Sequence, residues 1–178
     1  MHKSFSVWWW ALLAAASAGC QAGSKPLVEL PPDVRKLAVG SFTAAQPDHN
    51  KWAEEARRMS RQRFSELARQ RGRFSVLPAG KPPASADAVV TGQVTVLTRQ
   101  RRASGPKGEP AGSLACTAAI TFTITRPKGG TLVSQRLSRS FDSPGQGTPD
   151  VDKIIAGLLG QCVNEFTAGL FPRPRGKS

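Results

Sequence analysis

Thr117-Ala118-Ala119-Ile120-Thr121-Phe122-Thr123-Ile124-Thr125, with the link Pro127-Lys128-Gly129-Gly130 and the return stretch Leu132–Phe141 (LVSQRLSRSF), decides the fold. Ile120, Phe122 and Ile124 alternate with Ala119, Thr121 and Thr123, which is the two-residue period of a half-buried strand. In the return stretch Val133, Leu137 and Phe141 share one face, and mostly Ser and Arg share the other. Such a hairpin has one apolar face and must bury it under a second layer.

The sequence supplies that layer on both sides of the hairpin. Downstream, Thr148-Pro149-Asp150 offers an N-cap, a proline at the first helical position and an early acid. Val151, Ile154, Ile155, Leu158, Cys162 and Phe166 then form one helical stripe, which should stop near Gly169–Phe171, before Pro172. Upstream, Asp48-His49-Asn50 is helix-capping material for a helix over Lys51–Arg71. Its stripe is Trp52, Ala56, Met59, Phe64 and Leu67, with Ser60 and Arg63 intruding, and Gly72 is its C-cap. Arg57, Arg58, Arg61 and Arg69 lie opposite as a solvated face, with Glu54 four residues before Arg58 and Glu66 three before Arg69.

Three further stretches read as strands: Val34–Phe42 (VRKLAVGSF), Arg73–Leu77 (RFSVL) and Ala88–Thr98 (AVVTGQVTVLT). In the last, Gly92 marks a bulge or a close approach. Lys81–Ser85 is a turn, and Arg99–Ser113, basic and rich in Gly and Pro, reads as an exposed loop. The order is β-α-β-β-β-β-α. This predicts a single α+β domain over residues 34–171, a mixed sheet with helices packed on one face, and a parallel pair at the first crossover.

The amino terminus has a different character. His2-Lys3 precedes the apolar run Val7–Gly19, whose thirteen residues make about 20 Å of helix against ~30 Å of hydrocarbon, too short to span. A basic start, an apolar core and the small residues Ser17-Ala18-Gly19 have the layout of a secretory signal peptide over residues 1–19. Cys20 directly after Ala18-Gly19 resembles the end of a bacterial lipoprotein signal, which implies acylation of Cys20 by fatty acids such as palmitate. The other reading is an ordinary leader with an incidental cysteine nearby. Gln21–Asp33 (QAGSKPLVELPPD) makes residues 20–33 a lipidated tether, and Pro172–Ser178 (PRPRGKS) is a basic, disordered tail.

Charge and cysteine count narrow the chemistry. The chain carries 25 basic and 12 acidic side chains, net +13. In the cytoplasm that balance would suggest nucleic acid. In an exported protein it meets anionic lipid, lipopolysaccharide or wall polymer, or it merely reflects an arginine-rich composition. With Cys20 taken by lipid, Cys116 and Cys162 remain, and an oxidising periplasm would let them pair; otherwise they are two buried small apolar residues. No cofactor or metal site is expected, since there is no CxxC and only His49 remains after the leader. No GxSxG, HExxH or GxxxxGK[ST] occurs. The carboxylate pairs Glu54-Glu55 and Asp150/Asp152 sit in first helical turns, where the helix dipole accounts for them. The expectation is that the protein is not an enzyme.

Three stretches carry a family resemblance: VRKLAVGSF (34–42), ELARQRGRFSVLP (66–78) and ADAVVTGQVT (86–95). Together they resemble the domain of curli-secretion (CsgG-type) lipoproteins, the amino-terminal domain of TolB, and lipoprotein activators of penicillin-binding proteins. The resemblance implies a bacterial envelope lipoprotein and transfers no functional residue besides Cys20. Gln21, rather than Asp, after the cysteine resembles outer-membrane sorting. The expected role is a lipid-anchored protein, in the outer membrane and facing the periplasm, that binds an envelope protein or assembly and no nucleic acid. The alternative is binding of an anionic glycolipid or polymer through Arg99, Arg101, Arg102 and Lys107 with the basic tail.

Overall fold

The strand read from Thr117–Thr125 is the middle of a longer one. In the computed structural model, which describes residues 30–78, 85–104, 110–143 and 150–171, it runs over Pro110–Thr125. Of residues 100–104, 110–113 and 143 only the backbone is described. The elements in chain order are β1 (Lys36–Ala44), α1 (Asn50–Arg71), β2 (Ser75–Val76), β3 (Ala88–Ser104), β4 (Pro110–Thr125), β5 (Thr131–Ser143) and α2 (Val151–Leu170), with a 3-10 turn at Pro47–His49 ahead of α1. They form one α+β domain, as the periodicities predict.

The sheet order is β2-β1-β3-β4-β5. β1 is parallel to both β2 and β3, and β3, β4 and β5 are antiparallel in succession. The expected parallel pair across the first helix is therefore present. Gly129 and Gly130 both take positive φ, 97° and 94°, in the β4–β5 link, where a side chain would be strained. Gly72 ends α1 in the left-handed region, and its N–H donates to the Ala68 carbonyl at 2.9 Å.

Two boundaries differ from the sequence reading. The cap of α2 is Asp150, whose carboxylate accepts from the Lys153 N–H, so Pro149 is not the first helical residue. Asp150 satisfies a backbone donor directly, which outweighs the proline signal. The larger difference is at Arg99–Ser113, which is not a loop throughout. β3 and β4 stay paired from Arg99↔Ala115 out to Ser104↔Pro110, an extension of the hairpin beyond the β5 pairing that ends at Leu114↔Ser143. Pro110 is tolerated because it opens its strand.

Both helices cover the same face of the sheet. α1 packs over β1, β2 and β3, and α2 over β4 and β5, with the helices touching each other. Inward positions on β3 and β4 alternate as expected: Val90, Val94 and Val96, then Cys116, Ala118, Ile120, Phe122 and Ile124, all buried. Leu30 and Val34 join the same core ahead of β1. Through its middle runs a chain of six phenylalanine rings. Phe42 meets Phe122 edge-on, Phe122 stacks on Phe166 at 4.1 Å, Phe166 meets Phe64, Phe64 meets Phe171, and Phe171 stacks on Phe74 at 4.8 Å. Each such pair adds about 0.5–1.5 kcal/mol beyond the burial itself.

Gly92 fits one end of that chain. It sits at an inward position opposite Phe42, where the β1 register shifts between Val39 and Phe42. A Cβ built on Gly92 would lie 2.3 Å from Phe42 Cε1 and 2.5 Å from Cδ1. Gly92→Ala should therefore lower stability by about 1–3 kcal/mol through overpacking. Urea denaturation of the variant checks this, and the smaller Phe42→Leu should make the glycine substitution less costly in the double variant than in the parent.

Candidate functional site

The face of the sheet away from the helices is where strand alternation places the remaining side chains. On it lie Ser41 and Thr43 of β1, Thr91, Gln93 and Thr95 of β3, Thr117, Thr121 and Thr123 of β4, and Ser134, Ser138 and Ser140 of β5. Cross-strand register sets them in rows: Thr91–Thr123–Ser134, then Thr43–Gln93–Thr121–Arg136, then Leu97–Thr117–Ser140. Thr117 and Ser140 hydroxyls are 2.9 Å apart, and Thr91 Oγ1 donates to the Thr123 carbonyl at 3.4 Å. Ser41, Thr43, Thr91, Gly92, Gln93, Thr121 and Thr123 line a shallow depression of about 300 Å³. At one end a small apolar patch of Ala38, Ala86, Val89 and Leu77 closes over the sheet; elsewhere no described helix lies on it.

The middle of this face is poor in charge among the described residues. Arg136 is the cation within it, exposed Lys36 stands at the β2 end, and Arg99, Asp142 and strand position 101 stand at the far end. The exposed side of α1 is the opposite: Arg57 pairs with Glu54, Arg58 with Glu55 and Arg63 with Glu66, each at i,i+3. The expected Glu54–Arg58 pair is replaced by these partners, while Glu66, bonded to Gln62 and Arg63, still lies in the field of Arg69, whose Nε donates to the Ser65 carbonyl. A groove of about 520 Å³ runs along α1 beside Val39, Lys51, Arg57, Arg58 and Arg61. Its cations are largely committed, with Lys51 on Asp152 and Arg61 on the Leu77 carbonyl.

The residues singled out by sequence fall in different places. Cys20 and Lys107 lie outside the described residues. Arg99 is exposed on β3, and Arg101 and Arg102 lie in the hairpin extension, opposite Ser113 and Gly112. Alternation puts strand positions 99 and 101 on the hydroxyl-rich face and 102 on the other, all three within a paired strand.

Cys116 and Cys162 are both fully buried, and the expected bond between them is absent: both are free. The Cys162 thiol faces the Ala118 carbonyl oxygen at 4.0 Å. That position is one inward step, about 7 Å of strand, from Cys116. Burial pushes both thiols up, Cys162 to about 11, so neither is a nucleophile at neutral pH. No group of three or more His, Cys, Asp or Glu that could hold a metal occurs among the described residues. His49 Nδ1 is buried without a hydrogen-bond partner at the N-cap of α1, and its side chain makes no cap bond.

Asp87, the acid of the ADAVVTGQVT stretch, has a structural task that sequence reasoning missed. Its carboxylate accepts from the backbone N–H groups of Arg35 at 2.9 Å and Lys36 at 2.8 Å, while its own N–H donates to the Lys36 carbonyl. It thus ties the approach to β3 onto the start of β1. Those backbone donors hold its carboxyl below the ordinary carboxylate range.

A depressed carboxyl contributes stability that is present above its unfolded pKa and lost as pH falls through the folded one. Asp87→Asn should accordingly flatten the acid limb of the stability–pH curve relative to the parent, measured by thermal melts between pH 7 and pH 3. At pH 8, iodoacetamide should leave Cys116 and Cys162 unlabelled in the folded chain. Both should be alkylated in denaturant without any reductant, as read by peptide mass mapping; a requirement for reductant would restore the disulfide.

No protein-family pattern matches the sequence, and no curated protein matches it. Solved structures do match. A neuraminyllactose-binding hemagglutinin homologue from Helicobacter pylori superposes with a TM-score of 0.57 at 12% identity, over 84% of this chain and 91% of that one. Rare lipoprotein B from Shewanella oneidensis gives 0.44 at 14% identity, over 76% and 93%. A minor lipoprotein from Acinetobacter baumannii gives 0.43 at 12%, over 82% and 99%. What the chain shares with the Helicobacter protein is its fold.

Proposed function

We propose that the chain is an exported cell-envelope lipoprotein, anchored through acylated Cys20, whose α+β domain binds another envelope protein through the open face of its sheet. The observation that carries this reading is the charge asymmetry. In a protein with 25 Lys and Arg side chains, the middle of the open face carries small hydroxyls and one cation, Arg136, with the other charges of that face at its two ends. Charge depletion of this kind marks the centre of protein interfaces rather than freely solvated surface. Threonine suits a strand, which explains its presence there but not the scarcity of Lys, Arg and Glu. Nothing in this role calls for a catalytic group. In kind it fits the resemblance to CsgG-type, TolB amino-terminal and penicillin-binding-protein-activator lipoproteins. Two or three acyl chains on Cys20 would supply stable attachment at ~0.8 kcal/mol per buried methylene.

A second reading has its own support. Positions 99 and 101 share the open face with exposed Arg136, and with Lys107 and the basic tail they could engage an anionic glycolipid or polymer. Binding of that kind weakens steeply with salt.

In cells, a photo-crosslinking residue at Thr121 should give a discrete protein adduct, and the same probe at Glu54 on the outer side of α1 should not. Adducts at both positions, or at neither, would overturn the assigned face. Cys20→Ser should release the chain from the membrane pellet. Retention of purified protein on lipopolysaccharide that collapses at 0.5 M salt and with Arg99→Glu/Arg136→Glu would favour the second reading.

A further inference from the structure

The two edges of the sheet are unlike. β2 is two residues long, whereas β5 presents Thr131–Ser143 with no described strand on its outer side. A long regular edge without proline or bulge along its middle is a template for another strand. Phe141, one of the two large apolar side chains left exposed among the described residues, lies on it. Asp142 and Arg136, both exposed, have no ion-pair partner among the described residues.

We propose that β5 pairs antiparallel with β5 of a second copy of this chain, about a two-fold axis through Arg139. A two-fold axis normal to the sheet keeps like faces together, so each pair must join positions of equal parity. Centred on Arg139, the register sets Arg136 against Asp142 of the other copy, twice, on the open face, and Ser138 against Ser140. On the helix side it sets Leu137 against Phe141, which covers the exposed ring. Other centres lose this match: Arg136 would oppose itself about 136, Ser138 about 137 and Ser140 about 138. The two Arg139 residues meet at the axis, where the like charges are offset by Glu165 of α2, to which each is already ion-paired.

The helices allow the approach. With α2 lying over β4 and β5 and strands ~4.8 Å apart, the two α2 axes would stand about 10 Å apart, an ordinary packing distance. The flank of α2 on the Glu165 side carries Ile154, Gln161 and Ala168 at helical spacing, with no further charge. The proposal does not depend on export or on a partner at the open face: it shares Arg136 and Asp142 with the rim of that face but rests on strand pairing along β5.

The test uses the full chain, solubilised in a density-matched detergent, with mass from sedimentation equilibrium. The parent should be a dimer at micromolar concentration. Arg136→Asp and Asp142→Arg, each of which sets like charges together, should shift the dissociation constant upward at least tenfold, and the double variant Arg136→Asp/Asp142→Arg should return it to near the parent value. Both sites are exposed, and unchanged melting and circular dichroism would show that the variants fold. A monomeric parent at 100 µM, or a dimer indifferent to both single changes, overturns the proposal.

Discussion

The contact between the Phe42 ring and the bare backbone of Gly92 sets the terms for the rest of the structure. β1 is joined to β3 by a parallel ladder whose register slips at Val39–Phe42, and the aromatic ring fills the space that a Cβ at Gly92 would occupy. From there ring follows ring through β4, α2 and α1 to the segment before β2. Burying a phenylalanine stabilises by roughly 1.5–3 kcal/mol, and here six are threaded together, so the two helices and the sheet are fixed by one apolar column. Surface ion pairs on α1 decorate this arrangement and do not determine it.

Much of this was legible in the residues. Alternation in TAAITFTIT, the stripe of α2, the glycine that ends α1 and the crowding at Gly92 are all local patterns, and each has one cheap structural solution. The extent of the β3–β4 hairpin was not legible, because Gly, Pro and Arg read as loop when strand pairing continues only by virtue of a partner. The cap of α2 moved to Asp150 because a carboxylate reaching the Lys153 N–H is worth more than a well-placed proline. Ser60, fully buried with its hydroxyl unpartnered, interrupted the sequence stripe yet lies inside the core. Pairing of Cys116 with Cys162 followed from parity of count, and count says nothing about which inward position a helix residue covers.

The proposed binding surface was the hardest to read. Sequence reasoning looks for charged or reactive clusters, and the open face is defined by what it lacks. Only after the strands are set in register do Ser41, Thr43, Thr91, Gln93, Thr121 and Thr123 come together, from three strands and more than eighty positions of chain. Arg99, Arg101 and Arg102 read as loop residues but belong to a paired strand. Asp87 shows the complementary case, an acid inside a short family-like motif whose work is to bind two backbone amides.

The shortness of β2 has a consequence of its own. A sheet with two inviting rims can add copies without limit and become a fibre. Here one rim offers a pair of residues and little free backbone, so growth in that direction has no foothold. Whatever docks along the opposite rim completes the sheet instead of extending a polymer.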